Sequence, residues 1–128
     1  MRRKNRPEPR LTPVADAMSA RVASVGPDAT LQEASAAMLD AGVQAAVVLD
    51  DGNPVGILSA ETIAAAMSAG LDVTAGRAEA AADRRMIVVR ADQSLIDAHD
   101  EMRRTGRERA AVVGPDGSLV GLLLDEPA

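Results

Sequence analysis

An internal repeat is the feature of this sequence that most restricts its fold. A shift of 64 residues places Val25, Asp28, Leu31, Ala34, Met38 and Gly42 on Val89, Asp92, Leu95, Ala98, Met102 and Gly106. A shift of 65 then places Ala45, Ala46, Val47, Val48, Asp51, Gly52, Val55, Gly56 and Leu58 on Ala110, Ala111, Val112, Val113, Asp116, Gly117, Val120, Gly121 and Leu123. A repeat of this length indicates two copies of one supersecondary unit.

Each copy begins with a short apolar segment and a helix. Residues 22–25 and 86–89 are predicted to be extended. Thr30 with Glu33, and Ser94 with Asp97, have the spacing of a capping box, in which a hydroxyl and a carboxylate satisfy free backbone N–H groups. Each helix carries one apolar stripe and ends at a glycine, at Gly42 and at Gly106.

A hairpin follows each helix. Asp51-Gly52 separates the β-rich runs 45–49 and 55–58, and Asp116-Gly117 separates 110–113 from 119–124. Asp-Gly between such runs is a strong hairpin signal. After the first hairpin Ser59 has the place of a helix cap, and the helix that follows carries Ile63, Ala66 and Met67 on one side before Gly70.

These elements predict an α+β chain with α/β-like units. Each repeat is a β-α-β-β-α unit with a three-stranded sheet and a right-handed crossover, and the two repeats pack as a pseudo-two-fold pair. The predicted segments are a basic arm at 1–11, repeat 1 at 12–72, a truncated repeat 2 at 73–124 and a tail at 125–128. The last helix of repeat 2 is missing, so we expect residues 11–18, or the same segment of a partner subunit, to cover the sheet face it would occupy.

Composition restricts partners and location. The chain has no Phe, Trp, Tyr or Cys, and 26 of its 128 residues are Ala, so its core is thin and favours a homodimer, to which Ile63 and Met67 are expected to contribute. Residues 1–10 carry five basic side chains and one carboxylate, whereas the whole chain has a net charge of −5. An acidic chain without aromatic stacking surfaces disfavours nucleic acid as a partner. No apolar run approaches a membrane span, and a chain without cysteine is predicted to be cytoplasmic.

Catalytic and metal-binding patterns are weak. One histidine, His99, and no cysteine leave no nucleophile with an orienting base and no metal site. The acidic pair Asp50-Asp51 lies in a turn, where solvation explains it, and no glycine-rich phosphate loop opens a helix. The chain is therefore predicted not to be an enzyme.

The repeats resemble a tandem pair of cystathionine β-synthase (CBS) domains, the Bateman module. The resemblance covers residues 12–124 and rests on the order of motifs in both repeats. The matching stretches are Val14-Ala15-Asp16-Ala17-Met18-Ser19, Pro27-Asp28-Ala29-Thr30 and Asp51-Gly52-Asn53-Pro54-Val55-Gly56-Ile57-Leu58-Ser59. Membership would imply an adenosine-type ligand, such as AMP, ADP, ATP or a related compound, bound between the two repeats.

The family's ribose-phosphate signature is Gly, apolar, any residue, Thr or Ser, two residues, then Asp. Gly56 and Ser59 match it in repeat 1, but Thr62 stands where the resemblance implies Asp. A hydroxyl in place of a carboxylate is expected to weaken ribose binding by about 1–2 kcal/mol. In repeat 2, Leu124 and Pro127 replace the hydroxyl and the acid, so that half of the signature is absent.

The resemblance also implies a basic residue just before the second strand of a repeat, where it reaches the phosphate. Arg109 has this place in repeat 2, whereas repeat 1 has Gln44. Ser59 and Thr62 are therefore expected to act with Arg109 in one cleft, and the second cleft is expected to bind nothing. Contacts to the base are expected from Ser19, Ala20, Val22 and Ala46.

Two functions remain open on the sequence. The first is a regulatory module that binds an adenosine-type nucleotide and transmits the bound state to an effector protein or a neighbouring subunit. The alternative is a ligand-free dimeric interaction protein with degenerate pockets. In that alternative Ser59 serves only as a helix cap, and Arg109 is a surface residue paired with Glu108 or Asp51.

Overall fold

A computed structural model describes residues 12–124 of the chain. The sheet and helix content confirms the predicted α+β class, whereas the arm at 1–11 and the tail at 125–128 lie outside the described residues. In chain order the elements are a 3-10 turn Val14–Asp16, β1 Ala23–Val25, α1 Leu31–Ala41, β2 Ala45–Asp50, β3 Asn53–Ser59, α2 Ala60–Ser68, α3 Ala78–Ala81, β4 Ile87–Arg90, α4 Leu95–Thr105, β5 Arg109–Val113 and β6 Leu119–Leu124.

The described residues form two compact units. The first unit comprises residues 21–86, and the second unit comprises residues 12–20 together with 87–124. Each unit therefore contains one sheet, together with the short segment that leads in the sequence into the first strand of the other unit. The predicted boundaries, 12–72 and 73–124, follow the sequence repeat. In the structure, residues 12–20 belong instead to the second unit and residues 73–86 to the first.

The sheet of the first unit has the order β1-β2-β3. β1 runs parallel to β2, with Ala23 opposite Ala46, and β3 returns antiparallel to β2. Positive φ angles of 54° at Asp51 and 83° at Gly52 make the tight turn between β2 and β3, as the Asp-Gly signal predicts. The second sheet has the matching order β4-β5-β6.

Helices α1 and α4 begin and end at the predicted capping residues. Glu33 N donates to Thr30 Oγ1 at 3.0 Å and Thr30 N donates to Glu33 Oε1 at 2.8 Å, which closes the capping box of α1. At α4 the Ser94 hydroxyl accepts from Asp97 N. Only this half of the second predicted box is formed, because an aspartate side chain is one methylene shorter than glutamate. Both helices end at a left-handed glycine.

The core of the first unit is built from small and aliphatic side chains. Helix α1 buries Leu31 and Met38 against Val48 and Leu58 of the sheet, and Ile63 of α2 joins the same cluster. Burial of this kind contributes roughly 1.5–3 kcal/mol for each large aliphatic side chain. Because Ile63 is buried in its own unit, only Met67 of the two residues predicted for a dimer is well exposed.

The core of the second unit includes the segment that precedes β1. Val14 is fully buried beside Val89, Met102 and Leu123, and Met18 packs against the same cluster. Backbone hydrogen bonds join this segment to the second unit, with Val14 N donating to Gln93 O at 2.8 Å. Part of the predicted segment 11–18 therefore does lie on the second unit, and Leu11 lies outside the described residues.

One glycine in each third strand allows the preceding segment to approach closely. A Cβ atom on Gly56 would lie 2.9 Å from the Cβ of Ala82, and one on Gly121 would lie 2.6 Å from the carbonyl oxygen of Ser19. Both distances are below van der Waals contact. A glycine is therefore required at both places for packing alone.

Candidate functional site

The candidate site in the first unit lies where β3 joins α2. Ser59 is the last residue of β3 and the N-cap of α2, and its side chain accepts a hydrogen bond from Thr62 N at 3.3 Å. Thr62 Oγ1 accepts from Ser59 N at 2.8 Å and donates to the Ser59 carbonyl oxygen at 3.1 Å. Ser59 is 3% exposed. The two hydroxyl groups predicted to bind ribose therefore also close a capping box.

The capping box sets what these hydroxyls can offer a ligand. A hydroxyl has one proton to donate and two lone pairs that accept. Thr62 uses its proton and one lone pair on the backbone of Ser59, so one acceptor position remains. Ser59 uses one lone pair on Thr62 N. The pair can therefore present the Ser59 proton and the remaining Thr62 lone pair to a neighbouring diol.

Two further predicted residues lie at the same end of the first sheet. Ala46 pairs with Leu58, next to Ser59, and Ala23 lies opposite Ala46. Val22 precedes Ala23 directly, so the starts of β1 and β2 meet the end of β3. Ala46 is fully buried and Val22 is half-buried.

Gly56 lies on β3 as well, but away from the two hydroxyls. It pairs with Val48, three residues before Ser59 on β3. A strand rises about 3.3 Å per residue, so Gly56 is about 10 Å from Ser59. Its backbone lies against Ala82 and Asp83 instead. The structure thus gives Gly56 a packing role, which accounts for its identity without a ligand.

The remaining predicted residues belong to the second unit. Ser19 N donates to Leu122 O at 2.8 Å, and Leu122 N donates to Ser19 O at 3.0 Å. Arg109 opens β5, pairs with Leu124 and is half-buried. Ala20 is exposed. The joint action of Arg109 with residues of the first unit stays a prediction.

The second unit has no hydroxyl where Ser59 stands in the first. Leu124 ends β6 at the equivalent position, opposite Arg109. Its side chain is 43% exposed. Pro127, predicted at the position of the acid, lies outside the described residues.

Asp83 is a polar residue near β3 that sequence reasoning missed. Asp83 N donates to Ile57 O at 2.9 Å and Ile57 N donates to Asp83 O at 3.0 Å. Its carboxylate accepts from Arg85 N at 3.0 Å. The signal was present in the repeat, because a shift of 64 places Ser19 on Asp83 and both residues bond to the third strand in the same way.

The described residues contain neither a metal cluster nor a membrane span. Within residues 12–124 no three His, Cys, Asp or Glu side chains are grouped to hold a metal ion. Over the same range no helix is long and apolar enough to cross a bilayer.

Solved structures share this fold. A CBS domain protein from Pyrobaculum aerophilum, PAE2072, described as complexed with AMP, is 26% identical, with a TM-score of 0.75 over 88% of this chain and 87% of that one. Hypoxic Response Protein I, described with two coordinated zinc ions, is also 26% identical, with a TM-score of 0.74 over 89% of this chain and 93% of that one.

A third structure is similar in fold alone. The CBS domain pair of protein MJ0100, described in complex with 5′-methylthioadenosine and S-adenosyl-L-methionine, is 20% identical, with a TM-score of 0.74 over 90% of each chain. The curated proteins gave no match. The CBS domain family model matches residues 14–69 and 78–126. The chain belongs to the CBS domain family and carries two CBS domains in tandem.

Proposed function

We propose that this chain is a non-catalytic regulatory module that binds an adenosine nucleotide at the junction of β3 and α2. The observation that carries the proposal is the buried Ser59 side chain, which is hydrogen-bonded to Thr62 at the end of β3, where β1 and β2 begin. Membership of the CBS family and the AMP complex of PAE2072, at 26% identity, support an adenosine-type ligand.

Each part of the ligand has a chemical counterpart in the proposal. The Ser59 proton and the Thr62 lone pair bind the ribose hydroxyls, which both donate and accept. Val22 and Ala46 contact the base with aliphatic surface, together with Ser19 and Ala20. Arg109 binds the phosphate, because a guanidinium presents a planar fork of donors that matches phosphate oxygens. Gly56 contributes by letting β3 pack closely rather than by touching the ligand.

Regulation follows from differential affinity. A nucleotide that binds one conformation more tightly than another shifts the population toward it, and a partner protein can then distinguish the two states.

A homodimer would supply one such partner surface, and Met67, which is 49% exposed on α2, is its candidate contact. Sedimentation at micromolar concentration should give a dimer that Met67→Asp dissociates. A monomeric wild-type chain would contradict the dimer.

Two matched variants test the site. Ser59 and Ser94 are both helix N-caps with a hydroxyl that accepts from the backbone N–H three residues on. Replacing either with Ala costs roughly 1 kcal/mol of stability. Ser59→Ala should also weaken AMP binding at least about fivefold in calorimetric titration, whereas Ser94→Ala should leave it unchanged.

The alternative function is a ligand-free interaction protein. The hydrogen bonds between Ser59 and Thr62 favour it, since capping alone explains both hydroxyls. Equal AMP affinity in the wild type and in Ser59→Ala would remove Ser59 from the site. Absence of AMP binding in the wild type would favour the interaction protein.

A further inference from the structure

Two Asp-Gly dipeptides occupy equivalent places in the two sheets. Asp51-Gly52 lies between β2 and β3, and Asp116-Gly117 lies between β5 and β6. All four residues are exposed, and open space surrounds the position that a Cβ atom would take on either glycine. The two dipeptides therefore share identity, access and lack of crowding, and they differ in how the surrounding turn holds them.

An Asp-Gly dipeptide can rearrange without a catalyst. The backbone nitrogen of the glycine attacks Cγ of the protonated aspartate side chain, the new C–N bond closes a succinimide ring, and a water molecule leaves with the carboxyl oxygen and the amide proton. Water then adds to the main-chain carbonyl carbon of the former aspartate and breaks its bond to the glycine nitrogen. The main chain now runs through Cβ and Cγ, as isoaspartate. Glycine favours the first step because it has no side chain to obstruct the approach.

The second hairpin holds both reacting groups. Gly117 N, the nucleophile, donates to Gly114 O at 2.9 Å. The Asp116 carboxylate accepts from the Ser118 hydroxyl at 2.7 Å and from Ser118 N at 3.1 Å. These two bonds from Ser118 hold the pKa of Asp116 below its ordinary value, so the side chain stays in the ionised form that resists attack. Rearrangement at this turn therefore requires hydrogen bonds to break first.

The first hairpin holds neither group. Within residues 21–86 no donor is hydrogen-bonded to the Asp51 carboxylate, and no acceptor is hydrogen-bonded to Gly52 N. Among residues 12–124, Asp51 is also the one residue other than glycine with a positive φ, 54°. This left-handed conformation is unfavourable for a residue that has a Cβ atom. Opening of the turn therefore relieves strain at Asp51 and breaks no hydrogen bond of its reacting groups.

We propose that Asp51-Gly52 is a site of spontaneous isoaspartate formation and that the turn around Asp116-Gly117 protects the second dipeptide from it. The rearrangement inserts Cβ into the main chain, so the two-residue turn between Asp50 and Asn53 becomes longer. Because loop length sets the pairing of a hairpin, modification of Asp51 should weaken the pairing of β2 with β3. The first unit should then lose stability as the protein ages.

Ageing of the intact chain at 37 °C and neutral pH tests the proposal. Trypsin separates the two turns, because cleavage after Arg21 and Arg77 releases residues 22–77, and cleavage after Arg109 releases residues 110–128. Liquid chromatography with mass spectrometry separates isoaspartyl from aspartyl peptides and detects the succinimide by its loss of water. Isoaspartate should accumulate at least about tenfold faster in peptide 22–77, because the hydrogen bonds at the second turn raise the barrier there.

Two variants and a denaturant assign the cause. Asp51→Glu keeps the charge but lengthens the side chain, which disfavours ring closure, so isoaspartate should disappear from peptide 22–77. Ser118→Ala removes the hydroxyl bond to Asp116 and should speed the reaction in peptide 110–128 at least about twofold. In urea, which unfolds both turns, the two rates should agree within about threefold. Aged wild type should also melt at a lower temperature than fresh protein, whereas aged Asp51→Glu should not.

Four results would overturn the proposal. They are equal rates at the two turns of the folded chain, isoaspartate in peptide 22–77 that persists in Asp51→Glu, an unchanged rate at Asp116 in Ser118→Ala, and a difference between the turns that survives in urea. The last result would assign the difference to the neighbouring sequence and not to the fold. None of these results depends on nucleotide, so they leave the Ser59 site to its own test.

Discussion

The Thr62 hydroxyl makes two hydrogen bonds with the Ser59 backbone: it accepts from Ser59 N at 2.8 Å and donates to the Ser59 carbonyl oxygen at 3.1 Å. The residue that stands where the family resemblance implies an acid is therefore part of the helix start. Its hydroxyl can accept from one ribose hydroxyl, whereas a carboxylate can accept from both. Weak nucleotide binding is the expected consequence.

Thr62→Asp should strengthen AMP binding. A carboxylate accepts charge-assisted hydrogen bonds from both ribose hydroxyls, and an acidic residue in the first turn of α2 also suits the helix dipole. The expected gain is about 1–2 kcal/mol, roughly fivefold to thirtyfold in Kd by calorimetric titration. Thr62→Asn, which adds a similar shape without charge, is the control. An equal gain from both variants would show that charge is not the cause.

Arg109→Glu should lower AMP affinity at least about tenfold, because it replaces the proposed phosphate contact with a repelling charge. Adenosine, which has no phosphate, should lose little affinity in the same variant. Arg104→Glu, an exposed arginine on α4, changes net charge equally and controls for long-range attraction. If the two variants lost the same affinity, Arg109 would have no place in the site.

The glycines of the third strands should resist substitution. In Gly121→Ala the new Cβ would lie 2.6 Å from the Ser19 carbonyl oxygen, and in Gly56→Ala it would lie 2.9 Å from the Ala82 Cβ. Overpacking of this kind costs about 1–3 kcal/mol, with the larger loss at Gly121. Gly26→Ala, where the Cβ meets open space, is the control. Urea unfolding would refute this packing account if all three variants matched the wild type.

Asp116 should stabilise the hairpin between β5 and β6 in a pH-dependent way. Its carboxylate accepts from the Ser118 hydroxyl and the Ser118 N–H, and these bonds hold the pKa of Asp116 below its ordinary value of 3.8. A lowered pKa means that the stabilisation is present above pH 3.8 and is lost as pH falls through the folded-state pKa.

Asp116→Ala tests this dependence by thermal melting. The difference in melting temperature between the wild type and the variant should be constant from pH 5 to 8 and should shrink below about pH 3.8. Asp116→Asn keeps a neutral acceptor and serves as control. A difference that stayed constant down to pH 2.5 would contradict a role for the charge.

Much of the fold follows from local sequence chemistry. The cap at Thr30, the left-handed glycines and the Asp-Gly turn each depend on a few adjacent residues, so the repeat and its elements could be predicted. The short helix Ala78–Ala81 could not. It is alanine-rich and has no apolar stripe, and long-range contacts such as Ala78 N to Ala29 O position it.

The site was predictable in part for the same reason. Ser59 and Thr62 are three residues apart, and their hydroxyls meet as the helix spacing requires. The family signature predicts Gly56 as a ligand contact, whereas its packing against Ala82 and Asp83 could not be predicted, because those residues come from a distant segment. The exchange of the segments 12–20 and 73–86 between the two repeats is likewise a tertiary property that no local pattern carries.

The most direct test of nucleotide binding uses the absence of Phe, Trp and Tyr, which leaves the protein nearly transparent at 280 nm. The melting temperature of the purified chain should rise with added AMP, and any adenine nucleotide that remains bound through purification should appear as a band at 260 nm. Saturation at a hundredfold excess over Kd corresponds to about 2.7 kcal/mol. No band, together with no shift from AMP, ADP, ATP or S-adenosylmethionine, would contradict the proposed function.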